Sequence, residues 1–90
     1  MKKAKLAAQE LADRFDLPQE ALLGSGKLTV VAGRRVFVEN HRGILEYGTG
    51  RMVISLDRGR VVINGTELEL AAMSGRELVI RGKLQSVEWE

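Results

Sequence analysis

From Lys27 to the end, the chain consists of short runs in which apolar and polar residues alternate, separated by clusters that mostly contain glycine. The runs are LTVVA, RVFVEN, ILEY, RMVISL, RVVI, TELEL, ELVI and KLQSVEW. Alternation with a period of two is typical of β-strands that bury one face. Connections this short cannot hold the crossover of a parallel pair, so neighbouring strands are expected to pair antiparallel. The pattern therefore predicts a mainly β fold, an antiparallel meander of about eight short strands rolled into a small barrel or sandwich.

The clusters between the runs have the composition of tight turns. They include Ala32-Gly33-Arg34, Asn64-Gly65 and Arg81-Gly82-Lys83. Asn-Gly between two alternating runs is a strong hairpin signal, because both residues tolerate a positive φ. A β-solenoid also combines short strands with glycine turns and is the alternative fold. The runs are unevenly spaced and no residue recurs at a fixed period, so the solenoid is the less favoured of the two.

The first quarter of the chain has a helical pattern instead. Between Lys2 and about Leu23, the residues that recur at helical spacing are Ala4, Ala8, Leu11 and Phe15. The sequence PQEALL predicts one or two further helical turns, after which Gly24-Ser25-Gly26 interrupts the pattern. The apolar stripe is narrow, so this helix needs to dock on something. We expect a helical segment and linker at residues 1–26 and a β-domain at residues 27–90, in one folding unit.

Alternation separates two faces of the predicted sheet. The expected inward residues are Val36, Val38, Met52, Ile54, Leu56, Val61, Ile63, Leu68, Leu70, Leu78 and Ile80, joined in the last run by Leu84, Val87 and Trp89. The opposite face also carries apolar residues, namely Val31, Phe37, Leu45, Tyr47, Val53, Val62 and Val79. A surface that apolar usually has a cover. The N-terminal helix is the favoured cover, and a partner chain is the alternative.

The composition of the 90 residues limits the chemistry available to the chain. There is no cysteine and a single histidine, which excludes thiolate nucleophiles, disulfides and sites built from several imidazoles. The net charge is only +2, the arginines are scattered over turns, and aromatic residues make up 4% of the chain. We therefore expect neither a cofactor nor a metal, and no nucleic-acid partner. No stretch is apolar enough to span a bilayer or act as a signal peptide, so a cytoplasmic chain with at most peripheral membrane contact is expected.

The densest polar cluster is Glu39-Asn40-His41-Arg42, which is followed by Gly43. His41 oriented by Glu39 could act as a general base, but that chemistry usually needs a nucleophile or a second acid within hydrogen-bond reach. A turn with solvated His and Arg side chains is the simpler interpretation. An enzyme centred on His41 stays open as an alternative function, as does a small nucleic-acid-binding β-barrel.

The stretch Val38–Tyr47, VENHRGILEY, resembles the signature of the YabP/YqfC sporulation protein family, in particular its YqfC branch. The ending ELVIRGKL followed by VEW is similar to the closing pattern of that family, with Trp89 where tyrosine is more usual. The predicted N-terminal helical segment resembles the same branch, so the resemblance covers nearly the whole chain. Gly24-Ser25-Gly26 departs from it, because a proline-containing lead-in is expected there.

This resemblance implies a non-enzymatic protein associated with endospore formation in the mother cell. It also implies a partner, a larger membrane-anchored sporulation protein of the YqfD type. Binding is expected through the outer apolar face or an unpaired strand edge, and strand edges also offer a route to self-association. The candidate interface residues are Phe37, Glu39, Asn40, His41, Arg42, Leu45 and Tyr47.

Overall fold

The structure, a computed structural model, describes residues 4–7 and 19–89. Its strands are β1 (Ala4–Ala7), β2 (Gln19–Leu23), β3 (Gly26–Val31), β4 (Arg35–Glu39), β5 (Ile44–Glu46), β6 (Arg51–Leu56), β7 (Gly59–Met73) and β8 (Glu77–Trp89). Every strand pair is antiparallel. The predicted mainly β, antiparallel architecture is confirmed, whereas the β-solenoid is wrong for this part of the chain. The described residues include no helix that could cross a membrane.

Six strands, β3 to β8, form the body of the fold, and the two short strands β1 and β2 pair along its edges. The predicted number of eight strands after Lys27 is therefore wrong. The runs RVVI and TELEL belong to one strand, β7, and the runs ELVI and KLQSVEW belong to β8. These two long strands pair with each other along most of their length.

Two glycines explain why the long strands look interrupted in the sequence. Gly65 lies inside β7 and Gly82 inside β8, so the hairpin predicted at Asn64-Gly65 and the turn predicted around Gly82 are wrong. A Cβ atom at Gly65 would overlap the carbonyl oxygen of Lys83, and one at Gly82 would lie 2.8 Å from that of Glu67. The register shifts after Asn64 and again between Thr66 and Glu69. The glycines thus permit a close backbone approach where bulges bend the paired strands.

The strand order is β2-β3-β4-β8-β7-β6-β5, with β1 on β8 outside this path. The predicted meander is therefore only partly correct, since β4 pairs with the first part of β8 and not with β5. The link after β4 forms backbone hydrogen bonds with β6 instead. The backbone N–H of Arg42 donates to the carbonyl of Ser55 at 2.7 Å, and the N–H of Ser55 donates to the carbonyl of Gly43 at 2.9 Å.

The described strands form one open sheet in place of the predicted barrel or sandwich. Because its long strands bend, the sheet folds over a single apolar core. The buried core residues are Leu28, Val30, Val36, Val38, Met52, Ile54, Leu56, Val61, Ile63, Leu68, Leu78, Ile80, Leu84 and Val87. They come from strands that are distant in the sheet, such as β3 and β6. The predicted inward set is confirmed except that Leu70 and Trp89 are only half-buried. Val53 and Val62, expected on the outer face, are buried opposite each other.

The helix predicted between Lys2 and about Leu23 is absent from the described parts of that segment. Residues 4–7 form β1, which pairs with the end of β8, and residues 19–23 form β2, which pairs with β3. Pairing satisfies the backbone groups of sheet edges, which outweighs the weak helical preference of these short stretches. The remainder of the predicted helix, including Leu11 and Phe15, lies outside the described residues, as does its expected docking on the outer face. The division at residue 26 stays a prediction.

Candidate interaction site

His41 lies in the link between β4 and β5 and is only 7% exposed. Its Nδ1 atom accepts a hydrogen bond from the backbone N–H of Gly43 at 3.0 Å. Its Nε2 atom lies 2.9 Å from the carbonyl oxygen of Ser74. A carbonyl oxygen can only accept, so Nε2 carries the proton and Nδ1 is the acceptor. The backbone N–H of His41 also donates to the carbonyl of Arg76 at 3.1 Å.

Both ring nitrogens of His41 are therefore occupied by backbone partners. In this arrangement neither one is available to take a proton from a substrate, because the only unprotonated nitrogen already accepts from Gly43. Glu39, proposed as the group orienting it, lies 3.9 Å from the ammonium of Lys27 instead. The geometry is that of a histidine that fixes the β4–β5 link to the turn between β7 and β8.

Asp57 joins two further connections to the same end of the molecule. The backbone N–H of Ser25 lies 3.1 Å from each of the carboxylate oxygens of Asp57. Asn40 donates from Nδ2 to the carbonyl of Ser25 at 2.8 Å. The hydroxyl of Ser25 and, to a smaller extent, its backbone N–H donate hydrogen bonds that hold the pKa of Asp57 below its ordinary value. The positive charge of Arg42 lowers this pKa further. We call Ser25, Asn40, His41, Asp57 and Ser74 the turn cluster.

The structure separates the predicted interface residues into three places. Glu39, Asn40, His41 and Arg42 lie at or beside the turn cluster. Phe37 is half-buried on β4, between Thr29 of β3 and Val79 of β8. Leu45 and Tyr47 lie on and just after β5, on the far side of the strand order. The predicted set is therefore not one surface, and its role in binding stays a prediction.

Leu45 and Tyr47 are the members of that set that present large apolar side chains to solvent, with 61% and 63% of each exposed. β5 is short and irregular, because its register against β6 shifts between Ile44 and Glu46. Glu46 forms an ion pair at 3.3 Å with Arg51 of the neighbouring strand. Among the described strands β5 pairs only with β6, so its other edge is unpaired. Leu45 and Tyr47 therefore extend from an accessible sheet edge.

Sequence reasoning missed several residues that matter here. Ser25, Asp57 and Ser74 were not singled out, although Asp57 opens a recognisable Asp-Arg-Gly turn. Their partners are more than thirty residues away along the chain, and no local pattern indicates such pairs. Met73, which is exposed at the end of β7, carried no sequence signal either.

The fold and the turn cluster together define a small antiparallel β protein in which the single histidine has a structural position. The chain belongs to the YabP family, whose model matches residues 23–90. It is also similar to the uncharacterized protein YqfC of Bacillus subtilis (strain 168), with 23% identity over 79 residues that cover 88% of this chain and 85% of that protein. No solved structure matches the chain. The predicted family is thus confirmed, and membership indicates a sporulation-related protein.

Proposed function

We propose that this chain is a non-enzymatic sporulation protein that acts by binding another protein. The observation that carries the proposal is the exposure of Leu45 on β5 and of Tyr47 just after it, beside an edge that no other described strand pairs with. Tyrosine is enriched in the centres of protein interfaces, because it combines a large apolar area with a polar group. The occupied ring nitrogens of His41 support the non-enzymatic part of the proposal.

The partner we propose is a membrane-anchored sporulation protein of the YqfD type, encountered in the mother cell. The support is the resemblance of VENHRGILEY and of the chain ending to the YqfC branch. Binding to such a partner would hold this chain at a membrane surface although its described residues include no spanning helix.

The test is co-purification with the YqfD-type protein encoded in the same genome, expressed in full and extracted from membranes. The variant carries Leu45→Ser and Tyr47→Ser, and the control carries Leu22→Ser, since Leu22 is 77% exposed on another edge strand. We expect the wild type and the control to retain the partner and the double variant to lose about 90% of it, a tenfold change. All three should unfold at a similar urea concentration, because exposed side chains contribute little to stability. Equal retention by a folded double variant would reject this site.

Phe37 needs a separate variant because it is half-buried between Thr29 and Val79. Phe37→Ser in combination with Tyr47→Ser is expected to remain folded and to lose the partner, if the outer face of β4 contributes to the interface. Retention of the partner by this combination, together with its loss in the Leu45 and Tyr47 variant, would identify Leu45 as the residue of the three on which binding depends.

One observation favours nucleic-acid binding as a second candidate. Arg34, Arg35, Arg81 and Lys83 line the same groove. Glu67 and Glu69 also line it, and Arg81 pairs with Glu69, which neutralises part of the charge. Binding through phosphates would weaken steeply as salt concentration rises, so titration with labelled DNA and RNA at low and high salt tests it. The absence of binding at low salt would remove this candidate.

A further inference from the structure

Two strand edges in the described part of the chain lack a neighbour and face the same gap. β5 pairs on one side with β6, and no strand is paired on its other side. The segment Glu69–Met73 of β7 pairs with β8, whereas the pairing of β7 with β6 ends at Asn64. We call the gap between β5 and Glu69–Met73 the seam.

Hydrogen bonds close the seam at its two ends. Just beyond the end of β5, the carbonyl of Thr49 accepts from the N–H of Leu68 at 2.8 Å. Just before the start of β5, His41 bonds through Nε2 to the carbonyl of Ser74 at 2.9 Å. The chain from Leu68 to Ser74 therefore runs from the end of β5 back towards its beginning. The two edges run side by side in opposite directions, tied at both ends and unpaired in between.

The apolar core is incompletely covered along the seam. Ile44 on β5 and Leu70 on β7 both pack against the core, but each is only partly buried. Leu45 and Met73 flank them and are 61% and 52% exposed. Most residues of the core cluster are nearly inaccessible. The seam thus combines unpaired backbone groups with partly open apolar surface, the two features that an added β-strand would satisfy together.

We propose that the seam binds an extended segment of the partner protein as an added strand. This inference rests on the proposed function, since it identifies which part of the molecule the partner contacts and in what conformation. The backbone of the segment would pair with one or both free edges. Apolar side chains at every second position would cover Ile44 and Leu70, with polar side chains between them facing solvent.

The nearby charges do not select a strongly charged segment. Glu46 pairs with Arg51 on one side of the seam, and Glu69 pairs with Arg81 on the other. Recognition therefore depends on backbone pairing and on the alternation of apolar side chains. The Glu69–Met73 edge sets the paired length at roughly five residues, which is an ordinary strand length.

The experiment uses the full chain and a phage-displayed library of random linear peptides as the probe. We expect the selected peptides to carry apolar residues at alternate positions. Bound as synthetic peptides, they should slow amide hydrogen exchange within Ile44–Glu46 and Glu69–Met73. Leu45→Lys and Met73→Lys should each weaken binding about tenfold or more, because charged residues block edge pairing. The matched control Leu22→Lys, on the edge strand β2, should bind as the wild type does.

Three results would overturn the seam as the binding site. These are the selection of no peptide, protection confined to other segments, and equal affinity of the two lysine variants and the wild type. Protection of the seam that appears without peptide and grows with protein concentration would assign it to a second copy of this chain instead. Peptide binding at the seam without co-purification of the YqfD-type protein would reject that partner alone, because the peptide experiment does not contain it.

Discussion

At the scale of single residues, the His41 side chain joins two connections through its ring, the β4–β5 link and the β7–β8 turn. The imidazole bridges the Gly43 N–H and the Ser74 carbonyl, groups that are close in space but belong to different connections. Each would otherwise need a partner from the protein or from water, because backbone groups left unpaired in a buried position are costly. The histidine in the family-like stretch VENHRGILEY therefore has a stabilising role that can be measured.

Replacing His41 with alanine is expected to lower the free energy of unfolding by about 1–3 kcal/mol, since it leaves part-buried backbone groups without their partner. His41→Asn can supply an acceptor near the Gly43 N–H and should recover part of that loss. Urea unfolding followed by the fluorescence of Trp89 measures both changes. If His41→Ala is as stable as the wild type, the bridge is not stabilising.

Asp57 gives the stability of the fold a dependence on pH. Its pKa is lower in the folded protein, chiefly because the Ser25 hydroxyl and N–H bind its ionised form. The stabilisation is therefore fully present well above the ordinary Asp pKa of about 3.9 and is lost as pH falls through the lower, folded value. We expect the wild type to be more stable than Asp57→Asn at neutral pH and the difference to shrink below about pH 4. A difference in urea midpoint that is constant from neutral to acidic pH would contradict this assignment.

At the scale of strands, glycine had two roles that the sequence alone does not distinguish. Gly33 has a positive φ in the connection between β3 and β4, where a turn was predicted. Gly59 has a positive φ at the first residue of β7. Gly65 and Gly82 occupy similar patterns but lie inside long strands, where they allow two backbones to approach. The hairpin signal of Asn64-Gly65 was misleading because the constraint comes from β8, which lies far along the chain. A local sequence pattern shows that a position requires glycine, but it does not show whether a turn or a close approach of two strands is the reason.

Gly65→Ala is expected to destabilise the protein by about 1–3 kcal/mol, because its Cβ would overlap the Lys83 carbonyl and force the strands apart. Gly75→Ala is the matched control. A Cβ there would meet nothing within 4 Å, so the change should stay within about 0.5 kcal/mol. Thermal unfolding of both variants tests the role of Gly65. Equal melting temperatures of Gly65→Ala and Gly75→Ala would show that the paired strands β7 and β8 tolerate a side chain at position 65.

At the scale of the whole molecule, the sequence predicted the class of fold and the core better than the connections between strands. Period-two alternation identifies buried positions such as Met52 and Ile80 without knowledge of the strand order. It cannot show that β4 pairs with β8, nor that Ser25 and Asp57 meet, because those contacts join distant parts of the chain. The exposure of Leu45 and Tyr47 could be anticipated from alternation. The seam beside them could not, because it exists only where two separate edges come together.

The position of β8 in the strand order also governs how the chain can fold as it is synthesised. β8 pairs with β1, β4 and β7, and it follows all of the other described strands along the chain. On the ribosome, the edge of β4 that pairs with β8 therefore stays unpaired until β8 has emerged. Contacts of such long sequence separation make folding slow compared with that of helical domains of similar size. During that interval the nascent chain exposes strand edges that other chains can pair with, so the fold is most vulnerable to aggregation before β8 is in place.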